Sequence, residues 1–411
     1  MLIGTLRLVQ AVRGVSLRYA PGWLQHGFAL SEDLPLIDME FLPREKECAA
    51  GAVDDARPDR WGERVIRLLE RPPRLSLLEM LFFAGDERFG ALGVSHSGQT
   101  YVSIENGPLP VLSDVDAVHA LVRRVIAGEK IDETQRRLIA PGATMAGARP
   151  KALVKLDGAQ WVLKFAEEDS SSAPLIEHAA MTLAAKAGIV VAQTRAIKLG
   201  GCRVSAGSAV GSGRSSAGGR DASAGYAVAV KRFDRVAGRR LHALSANVAL
   251  KAAGSELSYP ALAQLLRRRG VLERGANRKQ MHELFRRLVF NILIDNTDDH
   301  EKNHVLLVTD RQNLHLSPAF DVLPTEQALG YQSMGVGADG AVSSIDNALS
   351  MCTAYWLSRQ EAVTEARRVA NVVASWRKHF KATGVAGLAI DALSGQIDRP
   401  WLQEQRTALG V

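Results

Sequence analysis

One stretch, residues 281–321, constrains the fold more than any other part of the chain. Apolar residues at helical spacing predict a long buried helix at its start, formed around Met281, Leu284, Phe285, Leu288, Val289, Ile292 and Leu293. The next nine residues, 295–303, contain no apolar side chain. Two short apolar runs at 305–308 and 314–316 flank a polar turn and predict a β-hairpin that leads to Asp321. A polar loop that directly follows a buried helix indicates a functional site.

Three polar residues of this stretch are predicted to converge, because the hairpin returns the chain to the same neighbourhood. They are Asp298, Asn303 and Asp321. Carboxylate and amide oxygens suit Mg²⁺, which binds one or two protein ligands together with substrate phosphates. Asp298 and Asn303 have the D-x-x-x-x-N spacing of a protein-kinase catalytic loop, in which the Asp accepts a hydroxyl proton and the Asn binds metal. Asp321 then occupies the place of the metal-binding Asp that begins D-F-G.

A competing motif lies inside the same loop. Residues 300–304 read H-E-x-x-H, the string of zinc peptidases. That chemistry requires both histidines on one face of a helix. The string instead spans a polar loop and the start of a Val/Leu strand, although Glu326 remains available as a distant third ligand. A zinc site and a solvated loop without chemistry both remain open.

Composition limits the cellular setting. The 411 residues are 46% hydrophobic and 23% charged, which is typical of globular domains. Cys48, Cys202 and Cys352 lack any CxxC spacing and are expected to be reduced thiols. No signal peptide or run of 18 apolar residues is present, so we expect a soluble cytoplasmic protein without membrane contact.

The net charge of +7 predicts attraction to anions. The basic residues are scattered, and the densest clusters, at 267–269 and 286–287, also fit solvated helix faces. Direct DNA binding is therefore a minor hypothesis.

Residues 140–165 have a second pattern of interest. A loop of small residues precedes strands at 152–156 and 161–165, and such a loop lets backbone N–H groups approach phosphates. Lys164 lies in Val-Leu-Lys-Phe, which resembles the kinase strand V-A-I-K. A predicted helix at 173–187 offers Glu177 as its ion-pair partner. The alternatives are an ordinary hairpin loop and a lysine that keeps a strand edge soluble.

These patterns predict an α+β, protein-kinase-like fold of two lobes. The small lobe is β-rich and carries an accessory α/β subdomain, and the C-terminal lobe is mainly helical. We expect boundaries at 1–135, 136–236 and 237–411, with a flexible Gly/Ser/Ala-rich insertion at about 200–225. Helices are predicted at 59–69, 75–84, 115–126, 131–138, 173–187, 260–268, 277–294 and 361–380.

Several motifs together resemble the HipA family of bacterial serine/threonine kinases, the toxins of HipA–HipB systems. The most specific are Asn296-Thr-Asp-Asp-His-Glu-Lys-Asn303, Ser317-Pro-Ala-Phe-Asp-Val-Leu-Pro324, Val230-Lys-Arg-Phe-Asp-Arg235 and Ala146-Gly-Ala-Arg-Pro-Lys151. Segments Leu17-Arg-Tyr-Ala-Pro-Gly-Trp-Leu24, Asp55-Ala-Arg-Pro-Asp-Arg-Trp-Gly62 and Gly85-Asp-Glu-Arg-Phe-Gly-Ala-Leu92 are similar to the family's N-terminal subdomain.

The resemblance implies a role for each matching residue. Asp298 would be the catalytic base, Asn303 and Asp321 would hold Mg²⁺, and Lys164 would contact the ATP phosphates. The other implied ATP-site residues are Ala146, Gly147, Ala148, Arg149, Pro150 and Lys151 over the phosphates, Lys231, Arg232 and Phe233 along the adenine, and His300 and Phe320.

The resemblance also implies partners and regulation. It implies a protein substrate such as an aminoacyl-tRNA synthetase, inhibition of growth, and a HipB-like antitoxin that contributes operator DNA contact. The phosphate loop reads Gly-Ala-Arg-Pro-Lys where the family often has G-x-Q-x-K, and Thr144 stands where the family toxin has its autophosphorylated serine. The other hypotheses are a weakly catalytic kinase-like module that binds antitoxin or DNA, and the zinc hydrolase.

Overall fold

The computed structural model describes residues 1–70, 75–104, 107–139, 147, 149–168, 172–200, 225–325 and 327–411. The predicted insertion at 200–225 falls almost wholly outside the described residues, as do Thr144, Ala146, Ala148 and Glu326. Among the helices of the described ranges, none has the length and apolar character needed to cross a membrane.

The described residues of the N-terminal part form a small antiparallel sheet and α-helices. Its elements are β1 (Gly4–Val9), β2 (Gly14–Tyr19), α1 (Pro21–His26), β3 (Glu40–Phe41), α2 (Arg60–Glu70), α3 (Leu77–Phe83) and α4 (Val115–Ile126). Asp59 caps α2, since its Oδ1 accepts the Gly62 N–H at 2.7 Å. The predicted helices at 59–69, 75–84 and 115–126 are confirmed. The helix predicted at 131–138 is present as 3₁₀ turns over Glu133–Leu138.

A four-stranded antiparallel sheet forms the next layer. Its strands are β4 (Lys151–Leu156), β5 (Ala159–Lys164), β6 (Thr194–Lys198) and β7 (Tyr226–Lys231), in the spatial order β4-β5-β7-β6. Asp157 and Gly158 join β4 to β5 with positive φ angles of 48° and 76°, as a two-residue hairpin turn requires. Helix α5 (Ala173–Lys186) packs against β6 and β7.

The C-terminal part is mainly helical. It contains β8 (Arg235–Val236), β9 (Arg239–Arg240), β10 (Ala243–Ser245), α6 (Ala246–Ala252), α7 (Tyr259–Arg269), α8 (Ala276–Leu293), β11 (Val305–Val308), β12 (Leu314–Leu316), α9 (Ile345–Ser350), α10 (Arg359–Val373), α11 (Trp376–Ala382), α12 (Gly387–Ile397) and α13 (Pro400–Ala408). The predicted apolar stripe of α8 is fully buried, and the predicted hairpin is present as β11 and β12.

The helix predicted at 361–380 is wrong, because two helices occupy this range. Val369 and Val373 lie on α10 and Trp376 and Phe380 lie on α11, and all four are buried in one core. The Ser375 hydroxyl between them donates to the Val372 carbonyl at 2.8 Å, a local bond that competes with helix continuation. The apolar periodicity persisted across the break because both helices cover the same core.

Candidate active site

Lys164 lies at the centre of a buried ionic cluster between the central sheet and the helical part. Its Nζ atom lies 2.6 Å from Oε1 of Glu177 and 2.9 Å from Oδ1 of Asp321. Lys164 is the last residue of β5, and Glu177 lies in the first half of α5. Lys164 and Glu177 are 8% and 1% exposed, so water screens their ion pair weakly. The cluster thus joins three elements at one ammonium.

Burial and charge act against each other in this cluster. Burial disfavours the Lys164 ammonium, but the carboxylates of Asp321 and Glu177 outweigh it and raise the pKa of Lys164. Burial also disfavours the Asp321 carboxylate, yet Lys164 and Arg149 hold the pKa of Asp321 well below its usual range. Burial raises the pKa of Glu177 despite Lys164 beside it. Asp321 is therefore ionised at neutral pH and suited to a further cation.

The described part of the loop at 147–151, which was predicted to cover the phosphates, contains two basic residues with different surroundings. Arg149 extends towards Glu177, with 3.9 Å between its NH1 atom and Oε2, and its side chain is 40% exposed. Lys151 is buried, and its Nζ atom lies 2.7 Å from Oδ2 of Asp59. Gly147 has a φ of +104°, which only glycine adopts easily, and its carbonyl accepts from Lys151 at 3.3 Å. Pro150 is buried beside them. Lys151 thus ties this loop to the N-terminal part.

Two of the predicted ATP-site residues lie together, Phe233 in the connection after β7 and Phe320 directly before Asp321. Their ring centroids lie 5.4 Å apart. Lys231 is exposed at the end of β7. The Arg232 side chain is turned elsewhere, with its NH2 atom 2.7 Å from Oδ2 of Asp234 and 3.0 Å from the Arg88 carbonyl. Phe233 and Phe320 therefore supply an apolar surface, whereas the Arg232 guanidinium contacts the N-terminal part.

The polar loop after α8 presents Asp298 to solvent and holds Asn303 inside. Asp298 is exposed, and its carbonyl accepts from Nδ2 of Asn303 at 3.2 Å. The Asn303 N–H donates to the carbonyl of His300 at 2.9 Å. Oδ1 of Asn303 is buried and has no hydrogen-bond partner among the described residues. A buried amide oxygen without a donor fits a hard cation such as Mg²⁺, so the residues present suit that ion.

A buried network that the sequence did not reveal supports this loop. The carboxylate of Asp299 accepts from Nδ2 of Asn291 at 2.8 Å and from the Tyr259 hydroxyl, and it lies 2.9 Å from Nε2 of His304. Tyr259 lies on α7, Asn291 lies on α8 and His304 directly precedes β11, so three different elements fix the loop. The alternation of exposed Asp298 and buried Asp299 could not be deduced from two adjacent acidic residues.

The same geometry lacks the helix that a zinc peptidase requires. Glu301–Asn303 form a single 3₁₀ turn, and His304 leads into β11 with its Nε2 atom at Asp299. Over the described ranges, no group of three His, Cys, Asp or Glu side chains is placed to hold a metal ion. The two histidines of the H-E-x-x-H string therefore do not share one face of a helix, as a zinc peptidase requires.

Known structures define the class of fold. The HipA of Shewanella oneidensis MR-1, solved in a complex of HipA, HipB and operator DNA, matches with a TM-score of 0.62 over 99% of this chain and 97% of that chain, at 16% identity. The Helicobacter pylori proinflammatory kinase CtkA matches with a TM-score of 0.44 at 12% identity, over 64% of this chain and 93% of that chain. The Shewanella match confirms the predicted α+β, two-lobed, kinase-like fold.

Family membership follows from the sequence. Residues 143–381, more than half of the chain, match the family model described as the HipA-like C-terminal domain, and the chain belongs to that family. A Sinorhizobium fredii (strain NBRC 101917 / NGR234) protein named "Putative kinase Y4dM" is 31% identical over 172 residues. That alignment covers 41% of this chain, which spans only 38% of the length of Y4dM.

Proposed function

We propose that this protein is a serine/threonine-protein kinase that transfers the γ-phosphoryl group of ATP to a protein hydroxyl and acts as a growth-inhibiting toxin. One observation carries the proposal: Lys164 lies between Glu177 and Asp321. Active protein kinases require a lysine paired with a helix glutamate and an aspartate that binds Mg²⁺ beside the phosphates. Lys164 lies within ion-pair distance of a helix glutamate and of the aspartate that would bind Mg²⁺.

Lys164 and Arg149 would bind the phosphates. Lys164 is held charged by its two carboxylates, and Arg149 is the more exposed basic side chain of the loop at 147–151. Fixed positive charges that face developing negative charge lower the barrier of phosphoryl transfer because they need no reorganisation. Phe233 and Phe320, with Lys231 and the Arg232 backbone, would form the adenine side of the site, and His300 would border it.

Asp298 would act as the catalytic base. Its carboxylate is exposed on the loop after α8, so a protein hydroxyl can approach it. As the hydroxyl oxygen bonds to the γ-phosphorus, its proton passes to Asp298, and the bond from the γ-phosphorus to the bridging oxygen breaks to release ADP. The hydrogen bonds of the buried Asp299 fix the loop, so Asp298 can be exposed and still have a defined position.

Asn303 and Asp321 would hold Mg²⁺. When bound, Mg²⁺ neutralises charge on the phosphates. Asn303 offers a buried Oδ1 without a hydrogen-bond partner among the described residues, and Asp321 remains ionised. Ion binding at Asp321 would compete with Lys164 for the same carboxylate, so phosphates and Mg²⁺ are expected to replace part of this ion pair together.

The partners are proposed by analogy with the Shewanella oneidensis structure, a complex of HipA with HipB and operator DNA. We propose a HipB-like antitoxin, operator DNA contact through it, and a protein substrate in the cytoplasm, with an aminoacyl-tRNA synthetase as the first class to test. We also propose three units at 1–135, 136–236 and 237–411. The family match begins at residue 143, close to the first boundary.

The direct test is incubation of the purified protein with γ-labelled ATP, Mg²⁺ and a cleared bacterial lysate. We expect labelled proteins that carry phosphoserine or phosphothreonine, with no label after Mg²⁺ is chelated. Binding of a HipB-like protein or DNA without any transfer of label would favour a kinase-like binding module instead. One zinc per chain that is lost on His300→Ala would revive the hydrolase.

A further inference from the structure

Thr297, the residue directly before Asp298, forms hydrogen bonds through its N–H, its hydroxyl and its carbonyl, and all of them go to Thr325 or Ser333. The Thr297 N–H donates to Oγ1 of Thr325 at 2.9 Å, and the two threonine hydroxyl oxygens lie 2.6 Å apart. The Thr297 carbonyl accepts from the Ser333 hydroxyl at 2.9 Å. Thr297 is only 2% exposed, so water does not replace these bonds. The segment that binds Thr297 follows Asp321 in the chain.

One assignment of the Thr325 hydroxyl proton is compatible with all three of its hydrogen-bond contacts. A hydroxyl has one proton to donate and two lone pairs to accept with. Thr325 Oγ1 donates to the Asp295 carbonyl at 2.9 Å, so it must accept from both the N–H and the hydroxyl of Thr297. The Thr325 N–H also donates to the Asp295 carbonyl at 3.0 Å. Residue 325 thus forms four hydrogen bonds to the loop that carries Asp298.

Asp295 itself is firmly held. Its side chain is completely buried, with Oδ1 2.7 Å from NH2 of Arg399 and Oδ2 3.2 Å from Nε2 of Gln396. It has a φ of +58°, a conformation that few non-glycine residues adopt. Thr325, four residues after Asp321, therefore attaches this segment to the firmly held Asp295.

We propose that Thr325 is a positioning residue that fixes Asp298 relative to Asp321, and thereby the base relative to the phosphates. The inference rests on the proposed kinase function. Thr325 contacts the loop backbone and Thr297, and it acts on the reaction through them. Its removal should leave the cluster of Lys164 and Glu177 intact, because none of its hydrogen bonds involves that cluster.

Two substitutions separate the hydroxyl from the shape of the side chain. Thr325→Val keeps the shape and removes the hydroxyl, and Thr325→Ser keeps the hydroxyl. Thr364→Val is the matched control, because that exposed hydroxyl donates only to the Gln360 carbonyl of its own helix. The readouts are transfer of γ-labelled phosphate to casein under saturating Mg-ATP, the Kd for ATP by calorimetry, and hydrogen exchange of the Thr297 amide.

For Thr325→Val we expect kcat to fall by about 10²-fold, the size of effect that a misplaced catalytic group produces, with the Kd for ATP unchanged. Exchange of the Thr297 amide should accelerate, whereas Thr325→Ser and Thr364→Val should resemble the parent. If Thr325→Val does not fold, Ser333→Ala removes one bond to Thr297 and should lower kcat in the same direction.

Full activity in Thr325→Val would overturn the inference, and so would equal losses in Thr325→Ser or a parallel loss of ATP binding. These outcomes would leave the kinase proposal standing if the parent is active. A parent protein that transfers no phosphate would overturn the proposed function and the catalytic role of Thr325 together. Exchange of the Thr297 amide would then still report whether the hydrogen bonds exist.

Discussion

Lys164 and Asp321, which are 157 positions apart in the chain, form an ion pair of 2.9 Å between the sheet and the helical part. Glu177 binds the same ammonium at 2.6 Å. One cation therefore balances two carboxylates that approach it from different elements. This arrangement has consequences for stability as well as for catalysis, and the two can be measured separately.

Lys164→Met should abolish phosphoryl transfer and destabilise the fold. Removing one partner of a buried ion pair leaves the other charges poorly compensated, here by Arg149 at 3.9 Å from Glu177, at a cost of about 3 kcal/mol in the free energy of unfolding. Replacing Lys164 and Glu177 together by Met should restore part of this stability, because Asp321 still lacks Lys164, and none of the activity. Chemical denaturation and a phosphate-transfer assay on both variants test this, and a stable but inactive single variant would contradict the energetic part.

Overexpression should arrest growth through the enzymatic activity, and Asp321→Ala should relieve the arrest. Without this carboxylate the charge on the transferred phosphoryl group is no longer neutralised by a metal held in place. Asp310→Ala, in the exposed turn of the β11–β12 hairpin, is the matched control and should remain toxic. Colony counts after induction measure the effect. Equal toxicity of Asp321→Ala would indicate that binding, not catalysis, arrests growth.

Asp55 should make the stability of the protein depend on pH. Its Oδ2 and Oδ1 atoms accept from the N–H and hydroxyl of Ser245, both at 2.6 Å. Burial raises the pKa of Asp55 from 3.8 to about 6, against the lowering effect of these bonds; repulsion from Asp54 raises it further and attraction to Lys302 lowers it. The folded protein thus binds more protons than the unfolded chain between pH 4 and pH 6.

Stability should therefore fall as the pH rises through this window, by up to about 3 kcal/mol from this group. Asp55→Asn should remove this part of the pH dependence, and Asp391→Asn, at an exposed site on α12, should not. Urea denaturation at pH 4, 5, 6 and 7 measures the difference between the variants. Parallel curves for the parent and Asp55→Asn would contradict the assignment.

Phosphorylation of Thr144 should lower the affinity for ATP. A phosphate adds about −1.5 to −2 charge at pH 7, three residues before Gly147 in the loop predicted to cover the phosphates. Repulsion of the ATP phosphates, with Arg149 or Lys151 as new partners, would favour a loop swung outward. Mapping of phosphosites and ATP binding by Thr144→Asp and Thr144→Ala test this. If Thr144 carries no phosphate and both variants bind ATP like the parent, the only role left for Thr144 is to help form a turn.

Local patterns explain which parts of the fold could be predicted. Helix α8, the polar loop after it and the hairpin β11–β12 follow from periodicity within short windows, and all three are present. The break between α10 and α11 was missed because the apolar stripe continues across it. Helices α12 and α13 were missed as well, although Gln396 of α12 and Arg399, the residue directly before α13, both contact Asp295.

The supporting contacts of the site could not be predicted, because they join residues far apart in the chain. Asp59 and Lys151 are separated by 92 positions, and Thr297 and Thr325 by 28. No spacing rule relates such pairs, and each depends on how two elements pack. The motifs predicted which residues would carry the chemistry, whereas the structure was needed to find the contacts that support those residues.

Acceptance of a hydroxyl proton by Asp298 during phosphoryl transfer is tested most directly by one comparison. Asp298→Asn and Asp310→Asn make the same chemical change at two exposed carboxylates of the same region. Single-turnover transfer of γ-labelled phosphate should be at least about 10²-fold slower in Asp298→Asn and unchanged in Asp310→Asn, with both proteins folded and binding Mg-ATP. Transfer at the parent rate by folded Asp298→Asn would contradict the account.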